Sequence, residues 1–272
     1  MTGREMTWPV LATSSLLEVR IAETESEIEA AQRLRYHVFY EEMSAIPSPQ
    51  MREQRRDFDR YDAICDHLLV VDHGARDENG EAAVVATYRL LRSEIAEQHG
   101  GFYTAGEYDI APMIKAYPPG TRFLELGRSC VLEAYRAKSI TMQLLWRGLM
   151  VYVAHYKSEV MFGCGSLPGT NVEALKLPLS YLHHFHRTPA SVPVRALPNL
   201  YVEMNRMPKE AIDAKEAMRS LPPLIKGYAR AGCYIGEGAV VDKQFDTTDV
   251  MIYFPVEKID PRWRQHFSRR RE

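Results

Sequence analysis

The sequence contains few cysteines, and their arrangement excludes two classes of protein. Four cysteines in 272 residues are widely separated and form no C-x-x-C pair: Cys65, Cys130, Cys164 and Cys233. Neither a disulfide framework nor a zinc ribbon is therefore indicated. We expect a protein of the reducing cytoplasm, with no metal site among these residues.

An excess of charge of one sign is also lacking. The chain has 34 basic and 36 acidic side chains and a formal net charge of −2, which argues against a nucleic-acid-binding protein that relies on its overall charge. Hydrophobic residues make up 46% and charged residues 26% of the chain. These fractions are typical of a globular protein with a sizeable core.

A long apolar run is missing as well. The most apolar stretch, residues 140–154, is interrupted by Gln143 and Arg147 and is too short to cross roughly 30 Å of hydrocarbon as a helix. Residues 1–16 contain no apolar core followed by a small-residue cleavage site, so we expect a short tail there and not a signal peptide. No segment is predicted to span a membrane.

Hydrophobic periodicity predicts alternating strands and helices. Thr24 and Glu27 form a capping box for a helix that we expect to run to about Met43, and Asn79-Gly80 predicts a hairpin. The predicted strands are residues 17–21, 67–72, 82–91, 122–132, 159–164, 200–204 and 250–256, and the other predicted helices are residues 139–156 and 221–230. This order fits an α/β protein in which a mixed sheet carries helices on both faces.

Charged side chains occupy positions where a fold would prefer apolar ones. Arg35 lies one turn before Phe39 near the buried stripe of the first helix, and Arg89 lies within a strand-like run. A buried charge there requires a partner. Three carboxylates follow one another on a loop: Asp57, Asp59 and Asp62. The alternatives are an Arg35 that extends to solvent and a solvated acidic turn.

Glu125 and Arg128 are three residues apart on a predicted strand, which would place them on opposite faces. Gly127 between them favours a β-bulge that resets the alternation, so that both side chains can address one site. The residues alone leave two interpretations open. They form a catalytic set, or they make structural ion pairs such as Arg89 with Glu125 or Arg35 with an aspartate.

Four segments in order resemble the signatures of acyl-homoserine-lactone synthases: LRYHVF at 34–39, DFDRYD at 57–62, YRL at 88–90 and ELGR at 125–128. Those enzymes have the GNAT fold and use acyl carrier protein. The chain resembles the ornithine N-acyltransferases of bacterial ornithine-lipid synthesis more closely, over residues 17–256. FGCGSL at 162–167 and LPPLIKGY at 221–228 belong to this second resemblance.

The second resemblance implies a GNAT-like mixed β-sheet with a bulged central strand. It implies an enzyme that moves a 3-hydroxyacyl group from acyl carrier protein to the α-amine of ornithine, giving lyso-ornithine lipid. We expect Glu125 to act as the general base, together with the catalytic residues Arg128 and Arg89. Expected substrate-binding residues are Arg35, Phe39, Asp57, Asp59 and Asp62.

The donor is expected to bind at the start of the helix after the bulged strand, through Arg136, Lys138 and Ser139. Coenzyme-A-dependent GNAT enzymes usually have two glycines at this turn, where backbone N–H groups hold pyrophosphate. Residues 136–141 contain neither. This departure favours a thioester on the phosphopantetheine of acyl carrier protein as co-substrate, with no bound cofactor.

Two other functions are compatible with the same residues. An acyl-homoserine-lactone synthase would use S-adenosylmethionine, and a non-catalytic module would bind carrier protein or a membrane surface without turnover.

The predicted organisation is a tail at 1–16, a GNAT-like core at 17–190, an extension packed on the core at 191–257 and a basic tail at 258–272. The basic and aromatic residues of this last tail are compatible with peripheral contact with an anionic membrane, and a disordered basic end is the alternative.

Three further patterns resemble functional motifs but do not predict a site. His67 and Asp72 match an H-x4-D motif, but positions five apart on a strand face opposite sides, so His67 is expected to be a strand-edge residue. His183, His184 and His186 are expected on a polar loop, and Gly236-Glu237-Gly238 lacks the third glycine of a dinucleotide-binding fingerprint.

Overall fold

The computed structural model describes residues 10–137 and 139–260, and for Ser139 the backbone alone. The strands in these ranges are β1 Ala12–Ser14, β2 Leu17–Ile21, β3 Asp66–Arg76, β4 Ala82–Arg92, β5 Tyr108–Asp109, β6 Phe123–Val131, β7 Val160–Pro168, β8 Arg195–Ala196, β9 Tyr201–Val202, β10 Tyr234–Asp242 and β11 Thr247–Pro255.

The α-helices in the same ranges are α1 Glu25–Tyr36, α2 Pro49–Gln54, α3 Ser93–Ala96, α4 Ala111–Lys115, α5 Glu133–Arg136, α6 Ser139–Tyr156, α7 Lys176–His186, α8 Ala214–Ser220 and α9 Pro223–Ala231. A π-helix spans His37–Glu42, and 3-10 turns span Tyr103–Gly106, Lys209–Ala211 and Val256–Lys258. The alternation of strands and helices confirms the predicted α/β class.

The described chain divides into two compact units. The first unit contains residues 10–91, 127–137 and 139–157, and the second contains residues 92–126 and 158–260. The chain passes from the second unit to the first within β6, after Leu126.

The strands of the first unit follow the order β1-β2-β3-β4-β6. β3 pairs antiparallel with β2 and with β4, so it is an interior strand. Residues 67–71 of this strand are all buried, because both faces of an interior strand can be covered. The predicted hairpin between β3 and β4 is confirmed, with Gly80 at the turn in a left-handed conformation (φ +80°).

Helix α1 begins where the capping box predicts. The Thr24 hydroxyl accepts the Glu27 N–H, and the Glu27 carboxylate accepts the Thr24 N–H. The expected continuous α-helix to Met43 is wrong in detail, since α1 ends at Tyr36 and a π-helix follows. The Met43 N–H donates to the Val38 carbonyl at 3.0 Å, an i→i+5 bond, and such π turns are frequent near functional sites.

In the second unit, β6 and β7 are parallel and pair only over a short stretch in the described register, from Phe123 opposite Val160 to Glu125 opposite Phe162. β7 then pairs antiparallel with β11 along its whole length. The order continues from β11 to β10, β8 and β5, with β9 also on β10. The predicted extension at 191–257 therefore supplies β8 to β11 of this unit.

Two parts of the second unit differ from the sequence-based expectation. β10 was not predicted, because its glycines interrupt the strand pattern where the register shifts between Ile235 and Ala239. The prediction of a polar loop at the three histidines is wrong, since His183, His184 and His186 lie in the last turn of α7. Among the described residues, no helix combines the length and apolar character needed to cross a membrane.

Candidate active site

Arg35 lies at the centre of an ionic network in the first unit. Its side chain is fully buried on α1, where its Nε donates to Asp57 Oδ2 at 2.7 Å and its Nη2 donates to Asp62 Oδ1 at 2.8 Å. Nη2 also donates to the Asp57 carbonyl at 2.6 Å. The alternative of a solvent-exposed Arg35 is therefore wrong, and its predicted ion pair with an aspartate is confirmed.

Two further arginines complete the network. Arg89 on β4 donates through Nη1 to Asp59 Oδ1 at 2.7 Å. Arg128 on β6 has its Nη2 at 3.3 Å from Asp59 Oδ2 and its Nε at 3.3 Å from Asp57 Oδ2. Three guanidinium groups thus meet three carboxylates, so the acidic loop is a paired structure and not a solvated turn.

These contacts govern the ionisation of the network. Burial alone would raise the pKa of Asp57 and Asp62, but Arg35 acts in the opposite direction and holds both pKa values below the usual range. Burial likewise acts to lower the pKa of Arg35, and Asp57 and Asp62 more than offset it, so this pKa is raised. Asp57, Asp62 and Arg35 are therefore charged at neutral pH.

Arg128 has an unusual backbone conformation for its residue type. Its φ is +51°, in the left-handed region, inside strand β6. This conformation costs a residue with a Cβ about 1–2 kcal/mol. A left-handed residue within a strand is typical of a β-bulge, and the predicted irregularity is found one residue later than expected, at Arg128 and not at Gly127. Contacts with Asp57 and Asp59 offset this local strain.

Tyr40 is a network residue that the sequence did not single out. It lies on the π-helix, and its hydroxyl donates to Asp57 Oδ1 at 3.0 Å. Burial, and then the Asp57 carboxylate, raise the pKa of Tyr40, so the hydroxyl remains a donor. Its neighbour Phe39, a predicted substrate-binding residue, packs against the buried cluster of Leu34, Val38 and Cys130.

His67 belongs to the same network, and its assignment as a strand-edge residue is wrong. It is buried on β3 directly opposite Arg89. Its Nε2 lies 3.1 Å from the Asp62 carbonyl, so Nε2 carries the proton of the neutral ring. Burial, and then Arg35, lower the pKa of His67 to about 4. His67 and Asp72 have different partners, since Asp72 accepts the Tyr135 hydroxyl at 2.6 Å.

Glu125 belongs to the second unit and is held by backbone groups. Its side chain is buried, and its two oxygens accept the Tyr103 N–H at 3.0 Å and the Thr104 N–H at 2.6 Å. Both donors come from the 3-10 turn at Tyr103–Gly106. The carboxylate is therefore fixed in orientation, as a positioned proton acceptor requires.

Other ionisable groups of the second unit lie near Cys164 on β7. The Cys164 thiol is 3.1 Å from Glu107 Oε2, and burial, followed by Glu107 and Asp249, raises the pKa of this thiol. Cys164 is consequently a neutral thiol and a poor nucleophile. Ligand oxygens of Glu107, Asp242 and Asp249 lie within 4.8 Å of one another, which is the donor type that hard cations prefer.

The predicted donor residues lie at the junction of α5 and α6 in the first unit. Arg136 donates through Nε to the Val131 carbonyl at 2.9 Å and through Nη2 to the Glu42 carboxylate. Lys138 lies outside the described residues, as does the side chain of Ser139. Residues 1–9 and most of the predicted basic tail, 261–272, also lie outside them.

Comparison with known proteins defines the class. The family model described as an acetyltransferase (GNAT) domain matches residues 34–147, which include the ionic network and the start of α6. The solved structure of FeeM, an N-acyl amino acid synthase from uncultured soil microbes, aligns over 92% of this chain and 94% of its own, with a TM-score of 0.47 and 9% identity. The mixed sheet and the match over residues 34–147 indicate an acyltransferase of the GNAT class.

Close relatives identify the family. The L-ornithine N(alpha)-acyltransferase of Rhizobium meliloti (strain 1021) is 49% identical over 259 residues, covering 95% of this chain and 86% of the relative. That of Rhodobacter capsulatus is 41% identical over 255 residues, covering 94% and 96%. The chain belongs to the L-ornithine N(alpha)-acyltransferase family, and the predicted resemblance is confirmed.

Proposed function

We propose that the chain transfers a 3-hydroxyacyl group from acyl carrier protein to the α-amine of ornithine, giving lyso-ornithine lipid. The observation that carries the acceptor is the name shared by relatives that are 41% and 49% identical over nearly the whole chain. The acyl group, its carrier and the lipid product rest on the resemblance and on the turn at 136–141, which lacks the two glycines of coenzyme A sites.

Glu125 is the general base in this proposal. The ammonium of ornithine loses a proton to the carboxylate, directly or through water, and the free amine attacks the thioester carbon. An N–C bond forms and the C–S bond breaks, and the second proton that the nitrogen loses after attack passes to the departing thiolate of the carrier. The two backbone N–H groups that hold Glu125 support this role, because they keep the base in one orientation.

The ionic network binds the acceptor at its most exposed edge. Exposure of the arginine side chains rises from 0% for Arg35 and 4% for Arg89 to 13% for Arg128. Among the carboxylates, Asp59 is the most exposed, at 22%, whereas Asp57 and Asp62 are at 1% and 7%. We therefore assign the acceptor carboxylate to Arg128 and the distal ammonium to Asp59, with the other members as supports.

The donor phosphate binds at the start of α6 in this proposal. Arg136, Lys138 and Ser139 are the residues assigned to it, and the carrier protein supplies the thioester on its phosphopantetheine. The fixed position of Arg136, between the Val131 carbonyl and Glu42, supports a preformed turn at this point. Contact of residues 258–272 with an anionic membrane is a separate part of the proposal.

The test is to incubate purified protein with 3-hydroxyacyl carrier protein and one of ornithine, lysine, homoserine or S-adenosylmethionine, and to identify products by mass spectrometry. N-acyl ornithine is expected. Glu125→Gln is expected to lower the rate by about 100-fold or more, whereas Glu97→Gln, an exposed glutamate of the same unit, is the matched control.

The outcomes separate the alternatives. A lactone formed with S-adenosylmethionine would identify an acyl-homoserine-lactone synthase. No product from any acceptor would indicate a non-catalytic binding module. Equal rates for Glu125→Gln and Glu97→Gln would remove Glu125 from the reaction while leaving the acceptor assignment intact.

A further inference from the structure

Glu42 is the last residue of the π-helix, and its carboxylate joins two segments of the first unit. Its Oε1 accepts the Glu133 N–H at 3.3 Å, and its Oε2 accepts the Arg136 guanidinium. The His37 ring lies on the other side, with Nε2 at 3.3 Å from Oε1. One side chain thus connects the end of the π-helix to α5.

The Arg136 side chain of this contact is 41% exposed, but the carboxylate is partly buried. The Glu42 side chain is 11% exposed, compared with 32% for the neighbouring Glu41. Glu41 contacts the side chains of Arg55 and His37, whereas Glu42 also accepts a backbone N–H. A partly buried carboxylate that accepts both a guanidinium and a backbone N–H contributes more than an exposed pair does.

Arg136 extends the connection to the end of β6. Its guanidinium donates to the Val131 carbonyl with Nε and to Glu42 with Nη2. Glu42 therefore contacts the turn at 132–137 near its start, through the Glu133 N–H, and near its end, through Arg136, which in turn donates to the Val131 carbonyl. On the other side, the π-helix carries Tyr40, which donates to Asp57 in the ionic network.

We propose that Glu42 is a positioning residue for the acyl donor, which sets the turn at 132–137 in the conformation that binds the donor. The proposal rests on the proposed function, because it takes the donor to bind at this turn. Without the carboxylate, the Glu133 N–H and the Arg136 guanidinium lose a common acceptor and the turn becomes mobile. The donor must then order the turn as it binds, which weakens its affinity but leaves the reacting groups in place.

Steady-state kinetics test the functional part. Glu42→Gln is expected to raise KM for the acyl carrier protein thioester about tenfold, with kcat and the KM for ornithine unchanged. Glu41→Gln is the matched control, since it changes the adjacent carboxylate in the same way. Arg136→Gln is expected to raise the donor KM as well. The double variant is expected to be little worse than the worse single variant, because both changes remove one contact.

Hydrogen–deuterium exchange of the full chain without substrates tests the structural part. Amides of residues 132–137 are expected to exchange faster in Glu42→Gln than in Glu41→Gln. Unchanged exchange overturns the proposal, even if the donor KM rises, because Glu42 would then act by direct contact with the donor. Faster exchange with an unchanged donor KM also overturns it. If the wild-type protein transfers no acyl group, the proposed function is wrong. The exchange rates alone then show whether Glu42 orders the turn at 132–137.

Discussion

Replacing Arg35 with methionine is expected to destabilise the protein severely. The side chain is fully buried and makes hydrogen bonds of 2.6–2.8 Å to Asp57 and Asp62. Removing one partner of a buried ion pair leaves an uncompensated charge and costs about 3–5 kcal/mol of unfolding free energy. Methionine retains most of the volume, so the loss measures the charge and not a cavity.

The loss is expected to depend on pH in a defined direction. Burial raises and Arg35 lowers the pKa of Asp57 and Asp62, and the net result in the wild type is a lowered pKa. Their stabilising contribution is therefore present above the unfolded pKa of about 4 and is lost as pH falls through the folded pKa. In Arg35→Met, burial is no longer offset by Arg35, so both pKa values rise. The difference in stability should therefore grow from pH 4 to pH 7.

Thermal melting at several pH values checks this prediction. The melting temperature of Arg35→Met at pH 7 is expected to fall by about 6–20 °C, taking roughly 2–4 °C per kcal/mol. Arg33→Met is the control, because Arg33 lies on the same helix but is 27% exposed, with ion pairs of 3.7 Å to Glu29 and 3.5 Å to Glu78 at the surface. The control is expected to change by about 2 °C or less. Equal shifts for the two variants, or a shift that does not vary with pH, would refute the reasoning.

Three further predictions concern other parts of the chain. Gly163→Ala should lower the melting temperature clearly, because an added Cβ would lie 2.2 Å from the Leu126 carbonyl oxygen. Gly227→Ala is the control and should be neutral or stabilising, because Gly227 lies on an open face of α9. Similar shifts in melting temperature for the two variants would contradict this prediction. The pKa of His67 is about 4 in the folded protein and about 6.5 in the unfolded chain. The stability is therefore complete above pH 6.5 and falls as the pH is lowered, by about 2 kcal/mol at pH 5 through this group. The melting temperature of His67→Gln should therefore differ less between pH 7.5 and pH 5 than that of the wild type does. An equal difference in the two proteins would contradict the prediction. Deleting residues 262–272 should weaken flotation with anionic liposomes, and unchanged flotation removes the membrane contact.

Parts of the site were predictable because buried charges constrain their own surroundings. Arg35 and Arg89 stand in apolar contexts, and such positions require carboxylate partners. The residues left open which partner each arginine would take, and whether the set is catalytic or structural. The pairing of Arg128 with Asp57 and Asp59 depends on the left-handed turn at Arg128, which its residue type does not favour.

Other parts depend on tertiary contacts that no local pattern records. The π-helix at His37–Glu42 follows a normal helical periodicity in sequence, so the sequence does not predict the extra residue in its turn. For the same reason the sequence does not predict the contacts of Glu42. Strand β10 contains glycines that lower its strand propensity, yet β11 pairs with it on both sides of the register shift. Helix α7 ends in histidines that suit a helix C-terminus, a signal that was available and was assigned to a loop.

The equal numbers of guanidinium and carboxylate groups in the ionic network have a consequence for encounter rates. Three positive and three negative side chains within one small volume have no net charge, so their combined field decays quickly with distance. Diffusing ornithine and diffusing carrier protein are therefore not steered toward the network from afar. Any dependence of association on ionic strength must originate in other charges at the surface, while the network recognises a molecule only after it has arrived.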